Sequence, residues 1–110
     1  MAYCARFNPG ISVPGNGSTG FPIFTNENTC LKGFTAGIGI FFFEDYPSDG
    51  LHDDHEGFYV VSGSGYAKVG DQEFEISEGT SFVAPAGVPH AIKKKKGGAD
   101  MKIYWFHFPV

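Results

Sequence analysis

The chain reads as an all-β protein, an antiparallel barrel or sandwich folded as one domain. Three observations predict this. Turn formers are dense, with 16 Gly and 7 Pro in 110 residues. The segments between them are short and rich in aromatic and β-branched residues, including 12 Phe and 5 Tyr. No long window carries the apolar period of about 3.6 residues that an amphipathic helix needs. A chain of this length is one domain with a modest core, burying about 65% of its unfolded surface.

The elements follow in order. Residues 1–33 are rich in Gly, Pro, Asn, Ser and Thr, with Pro9-Gly10 and Pro14-Gly15 as turns. Phe7, Ile11, Val13, Phe21, Ile23 and Phe24 give this stretch short extended pieces too apolar for an idle tail. It is expected to be an N-terminal extended segment that packs on the barrel or on a dimer partner, covering an open sheet edge. The barrel itself is expected over residues 34–110. Phe34 to Asp45 reads as a long strand, weakened at Gly37 and Gly39, whose Phe41-Phe42-Phe43 run calls for burial in the core or a subunit interface. Pro47-Ser48-Asp49-Gly50 is a turn, and Phe58–Ser62 a strand that ends at Gly63. Tyr66–Val69 and Glu73–Ile76 form a hairpin around Gly70-Asp71. Thr80–Ala84 and Pro89–Lys93 are short strands, Lys93–Lys96 with Gly97-Gly98 is a loop, and Met101–Phe108 is the last strand.

Composition excludes several functions. The net charge of −4 gives no general attraction to nucleic acid or to anionic membranes, and Lys93–Lys96 reads as a solvated loop beside a Gly-Gly turn. No apolar stretch approaches the roughly 18 residues needed to span a bilayer, and the N-terminus lacks a secretory pattern. Cys4 and Cys30 have no CxxC or zinc-ligand spacing. Sequence alone leaves a disulfide between them open, with free thiols in a reducing compartment the expected state. The protein is read as soluble and cytoplasmic. Gly63-Ser64-Gly65 lies between two strands, where a phosphate loop has no helix to open, and no Ser or Cys sits in a nucleophile setting.

The chemistry concentrates in two segments. His52 is followed by Glu56 and then by Gly63, while Gly79 leads through Pro85 and Gly87 to His90. On a strand, side chains at i, i+2 and i+4 share a face, so His52, Glu56 and position 50 are expected to point the same way. Pro85 and Gly87 make a rigid turn that fixes where the strand carrying His90 begins. Imidazole nitrogen and carboxylate oxygen suit a divalent transition metal (Fe, Mn, Co, Ni, Cu or Zn), and two His with one carboxylate leave positions open for water or substrate. His55 has the parity opposite to His52 and is expected to face solvent unless a bulge turns it inward to the pocket. His107 shares a face with Met101, Ile103 and Trp105 and is a possible pocket residue, as a core imidazole or an acid or base.

These spacings resemble the two motifs of the cupin superfamily, in particular its small single-domain members. The resemblance covers about residues 34–110. The first motif, His-x-His with a Glu and a Gly beyond, is matched by His52, Glu56 and Gly63, while its first His falls on Gly50. The second is matched by Gly79, Pro85, Gly87 and His90, and its trailing Asn falls on Lys94. The resemblance implies a jelly-roll β-barrel, a metal held by His52, Glu56 and His90, a small-molecule ligand or substrate, and a homodimer. It implies a metal-dependent enzyme of dioxygenase, isomerase or lyase type. The alternative is a metal-free, non-catalytic barrel that binds a sugar or organic acid, since members lacking ligands of the set do so.

Overall fold

The computed structural model describes residues 3–110 and has, among them, nine β-strands and no helix. In chain order these are β1 (Val13–Pro14), β2 (Ser18–Phe24), β3 (Thr35–Phe41), β4 (His55–Ser62), β5 (Ser64–Val69), β6 (Gln72–Ser77), β7 (Ser81–Ala84), β8 (His90–Lys94) and β9 (Met101–Phe108). Every pairing between them is antiparallel. One sheet has six strands in the order β1-β2-β3-β9-β4-β7, the other three in the order β6-β5-β8. The two pack as a jelly roll, the all-β antiparallel class that the turn density and the missing helical period predict. Among the described residues no helix is long and apolar enough to cross a membrane.

Alternation decides what lies between the sheets. Along β4, Glu56, Phe58 and Val60 are buried while Tyr59 and Val61 face outward. Met101 and Ile103 of β9 are fully buried and meet Ala67, Ile76 and Ile92 of the three-stranded sheet in one cluster. Phe58 stacks on Phe82 across the β4–β7 pair, with ring centroids 4.5 Å apart. The sheets come close where side chains are small. A Cβ on Gly65 of β5 would stand 2.1 Å from the Lys93 carbonyl oxygen and 2.7 Å from the Met101 sulfur. Glycine there is a packing requirement.

Two placements depart from the sequence reading. The strand expected from Phe34 to Asp45 ends at Phe41. Phe42 and Phe43 are not in the core: each is 43% exposed, and they pack edge-on against each other. The chain leaves the sheet there, its last ties being the Phe42 N–H to the Gly17 carbonyl and the Phe43 carbonyl to the Lys94 N–H, so three successive rings cannot all face inward. β2 is a seven-residue strand paired along β3, with β1 beyond it at the edge of the six-stranded sheet. The second departure is at β4, which begins at His55 and leaves His52 in the connection before the strand.

Candidate metal centre

Backbone contacts bring the two motif segments together. Gly50 and His90 exchange a pair of hydrogen bonds, at 2.7 Å and 3.0 Å. The Gly87 N–H donates to the His52 carbonyl at 2.9 Å, and the Ala86 N–H donates to the His55 Nδ1 at 3.0 Å. Gly87 itself closes a turn in which the Val88 N–H donates to the Pro85 carbonyl, and it takes a φ of 77°. That is the positive φ a type II turn demands of its third residue, and glycine supplies it without strain. The Pro-x-Gly spacing thus sets the start of β8, and with it His90.

His52, Glu56, His90 and His107 converge at one end of the space between the sheets. His52 Nε2 and His90 Nε2 stand 2.9 Å and 3.3 Å from Glu56 Oε1, and His107 Nε2 stands 3.4 Å from Oε2. Glu56 and His107 are direct cross-strand partners on β4 and β9. His52 reaches the same point from the preceding loop. Strand parity is therefore not what aligns it with Glu56; the bend before β4 is. His55 lies elsewhere. Its ring accepts the Ala86 N–H and packs on Phe108 with centroids 5.2 Å apart.

The far side of each imidazole is also occupied. His90 Nδ1 lies 3.1 Å from the Val88 carbonyl oxygen, and His52 Nδ1 lies 3.0 Å from that of Asp54. A carbonyl only accepts, so both nitrogens carry hydrogen and both Nε2 atoms offer lone pairs toward Glu56. His107 Nδ1 faces the Asp54 carboxylate at 3.1 Å in the same sense. With neutral rings, lone pairs would confront a carboxylate at hydrogen-bonding distance. The array is satisfied only by a cation in the middle, either protons or a metal ion.

The electrostatics follow. Burial raises the carboxyl of Glu56, but hydrogen bonds and charge from His107 and His90 outweigh it and bring its pKa down to about 2. Burial lowers His107, but its hydrogen bond and attraction to Glu56, joined by Asp54, lift it to about 9. His90 is raised by its hydrogen bond to Glu56 against the cost of burial. The two imidazoles hold their protons more tightly than a free histidine, and Glu56 holds its negative charge. Two sets have ligand atoms that all lie within 4.8 Å of one another, His52–Glu56–His90 and His52–Asp54–His107. A donor set of imidazole nitrogens and one carboxylate, with the second ring nitrogens engaged behind, fits a divalent transition metal.

The site opens into a cavity of about 290 Å³ between the sheets. Phe41, Phe58, Ile92 and Trp105 supply much of its wall, and Val13 and Asn16 close it from the N-terminal segment. No Lys or Arg is among its described lining residues. His107 lines it together with His52, Glu56 and His90, whereas His55 does not. Two functional features escaped sequence reasoning: the contribution of residues 13–20 to the cavity, and Asp54. The second had a faint signal, an acidic pair beside the motif histidine.

Comparison with known proteins agrees with this architecture. A family model described as a cupin domain matches residues 44–107. The plu4264 protein of Photorhabdus luminescens superposes with a TM-score of 0.79 at 18% identity, over 98% of this chain and 88% of that one. A Bacillus subtilis oxalate decarboxylase (OxdC) variant gives 0.76 at 14% identity, over 90% of this chain and 27% of that one. An iron(II) form of HppE gives 0.72 at 18% identity, over 89% and 55%. At these identities the likeness shows the fold alone. No curated protein matches the chain.

Proposed function

We propose, from the premise that this chain belongs to the cupin domain family, that it is a metal-dependent enzyme acting on a small organic molecule. His52, Glu56 and His90 would hold one divalent transition metal. The observation that carries this reading is the convergence of their ligand atoms with the remaining imidazole nitrogens tied to carbonyl oxygens. A metal bound there would supply Lewis acidity or oxygen activation to a chelated substrate. The residues around it would orient that substrate and exclude water. Phe58 and Trp105, both lining the cavity, flank the imidazoles, with ring centroids 6.0 Å from His90 and 5.6 Å from His107. The apolar wall, with no Lys or Arg among its described lining residues, supports a largely apolar substrate bearing one chelating group over a sugar or a multiply charged acid.

The same reading keeps the homodimer and the cytoplasmic setting. Tyr59, Val61 and Val83 are exposed on the outward face of β4 and β7, an apolar surface suited to a second copy. Cys4 and Cys30 are free and exposed, as suits a reducing compartment. The test is elemental analysis of freshly purified, tag-free protein. One transition-metal ion per chain is expected, lost in His52→Ala and in His90→Ala. Wild-type protein with no metal above background, and none taken up on addition, would refute it.

A further inference from the structure

We infer that His107 occupies the coordination place left open by Gly50, and that Asp54 is the positioning residue that aims both His52 and His107 at the ion. The inference rests on the metal reading above and extends it to a set of three imidazoles and Glu56. Position 50 itself offers no side chain. Its backbone is paired with His90, and a Cβ built there would stand 3.2 Å from His90 Nε2, against the nitrogen that should face the metal. The replacement arrives from the opposite direction. His107 sits on β9, directly across the ladder from Glu56, and its Nε2 faces Oε2, while His52 and His90 face Oε1. Each carboxylate oxygen is thus met by imidazole, and the rings of His52 and His107 lie 4.7 Å apart.

Asp54 connects the two. A single oxygen, Oδ1, lies 2.9 Å from His52 Nδ1 and 3.1 Å from His107 Nδ1. One carboxylate behind two imidazoles fixes both tautomers and both ring planes, the arrangement that raises ligand basicity in metal sites. The cluster of His52, Asp54 and His107 also has the geometry of a second ion site. Against that use, His52 Nδ1 faces the Asp54 backbone carbonyl at 3.0 Å and so carries a hydrogen. The Nδ1 side is the donor side, and Asp54 acts through the rings.

The experiment is a Co(II) titration of chelator-stripped, tag-free protein, read by visible absorption and by competition with a chromophoric chelator. Wild type is expected to bind one Co(II). His107→Ala is expected to lose at least tenfold in affinity and to change the ligand-field bands, as water replaces a nitrogen donor. His107→Gln, which preserves more of the side-chain volume, is read in the same way and covers the case in which the alanine variant does not fold. Asp54→Asn is expected to lose about 10–100-fold in affinity while keeping the wild-type bands. His55→Ala serves as the control, unchanged in both readouts. Wild-type affinity and bands in folded His107 variants would overturn the fourth ligand, and an unaltered Asp54→Asn would overturn the positioning role. Wild type that takes up no Co(II) would instead remove the metal reading on which both stand.

Discussion

Stripped of metal, the protein should be most stable in a window between about pH 4.5 and 6.5, because one buried attraction needs Glu56 ionised and His107 protonated. Glu56 moves from 4.5 when unfolded to about 2 when folded. A lowered pKa adds stability that is present above 4.5 and is lost as pH falls through 2. His107 moves from 6.5 to about 9. A raised pKa adds stability that is fully present below 6.5 and is lost as pH rises through 9. Each pH decade is worth about 1.4 kcal/mol, so either limb carries about 3 kcal/mol. The limbs share the Glu56–His107 attraction, which is counted once; His90 adds to the acid limb and Asp54 to the alkaline one. Solvent screening is moderate, since the Glu56 side chain is 11% and the His107 side chain 22% exposed. The assay is urea unfolding of chelator-treated protein across pH 2 to 10, comparing wild type with Glu56→Gln. Other carboxylates tilt both profiles alike at low pH, so the difference between them isolates Glu56 and the imidazoles it holds, His107 and His90. Glu56→Gln should lose the acid limb that belongs to residue 56 and shrink the alkaline one, leaving the smaller pull of Asp54 on His107. Parallel wild-type and Glu56→Gln profiles would refute the reasoning.

Two further outcomes follow from the packing. His55→Ala removes the acceptor of the Ala86 N–H, which should cost about 1 kcal/mol in chemical unfolding; a change in stoichiometry of bound metal would contradict its placement outside the cavity. Gly65→Ala puts a methyl group against the Lys93 backbone oxygen, where no flexible side chain can give way. It should destabilise by at least about 1–3 kcal/mol, seen as a lowered Tm, and a wild-type melting curve would disprove the close approach of β5 to β8.

Much of the fold was legible. Period-two alternation along Met101–Phe108 puts Met101 and Ile103 inside, and the Gly70-Asp71 turn forces the hairpin of β5 and β6. In the phenylalanine run, hydrophobicity sets a demand for burial but not which residues the sheet admits: β3 ends at Phe41, which lines the cavity, and Phe42 and Phe43 stay outside the core. His55 followed parity and its ring lies away from the cavity. His52 shows the opposite lesson: it points at Glu56 although it stands outside any strand, because Gly87 holds its carbonyl.

Local chemistry written along the chain, such as glycine at the positive-φ corner of the Pro-x-Gly turn and the alternation of β4 and β9, was enough to determine an all-β antiparallel fold, and the motif residues His52, Glu56 and His90 marked the two segments that build its polar centre. Those are short-range effects, set by sterics within a few residues. The arrival of His107 opposite Glu56, the shared Asp54 oxygen behind two rings, and the apolar cavity closed by Val13 and Asn16 were decided only in three dimensions. The first two depend on strand register between residues more than 50 apart in the chain, as in the pairing of Glu56 with His107, and the third on β1 and β2 folding back along β3; no local pattern encodes which strand will lie alongside.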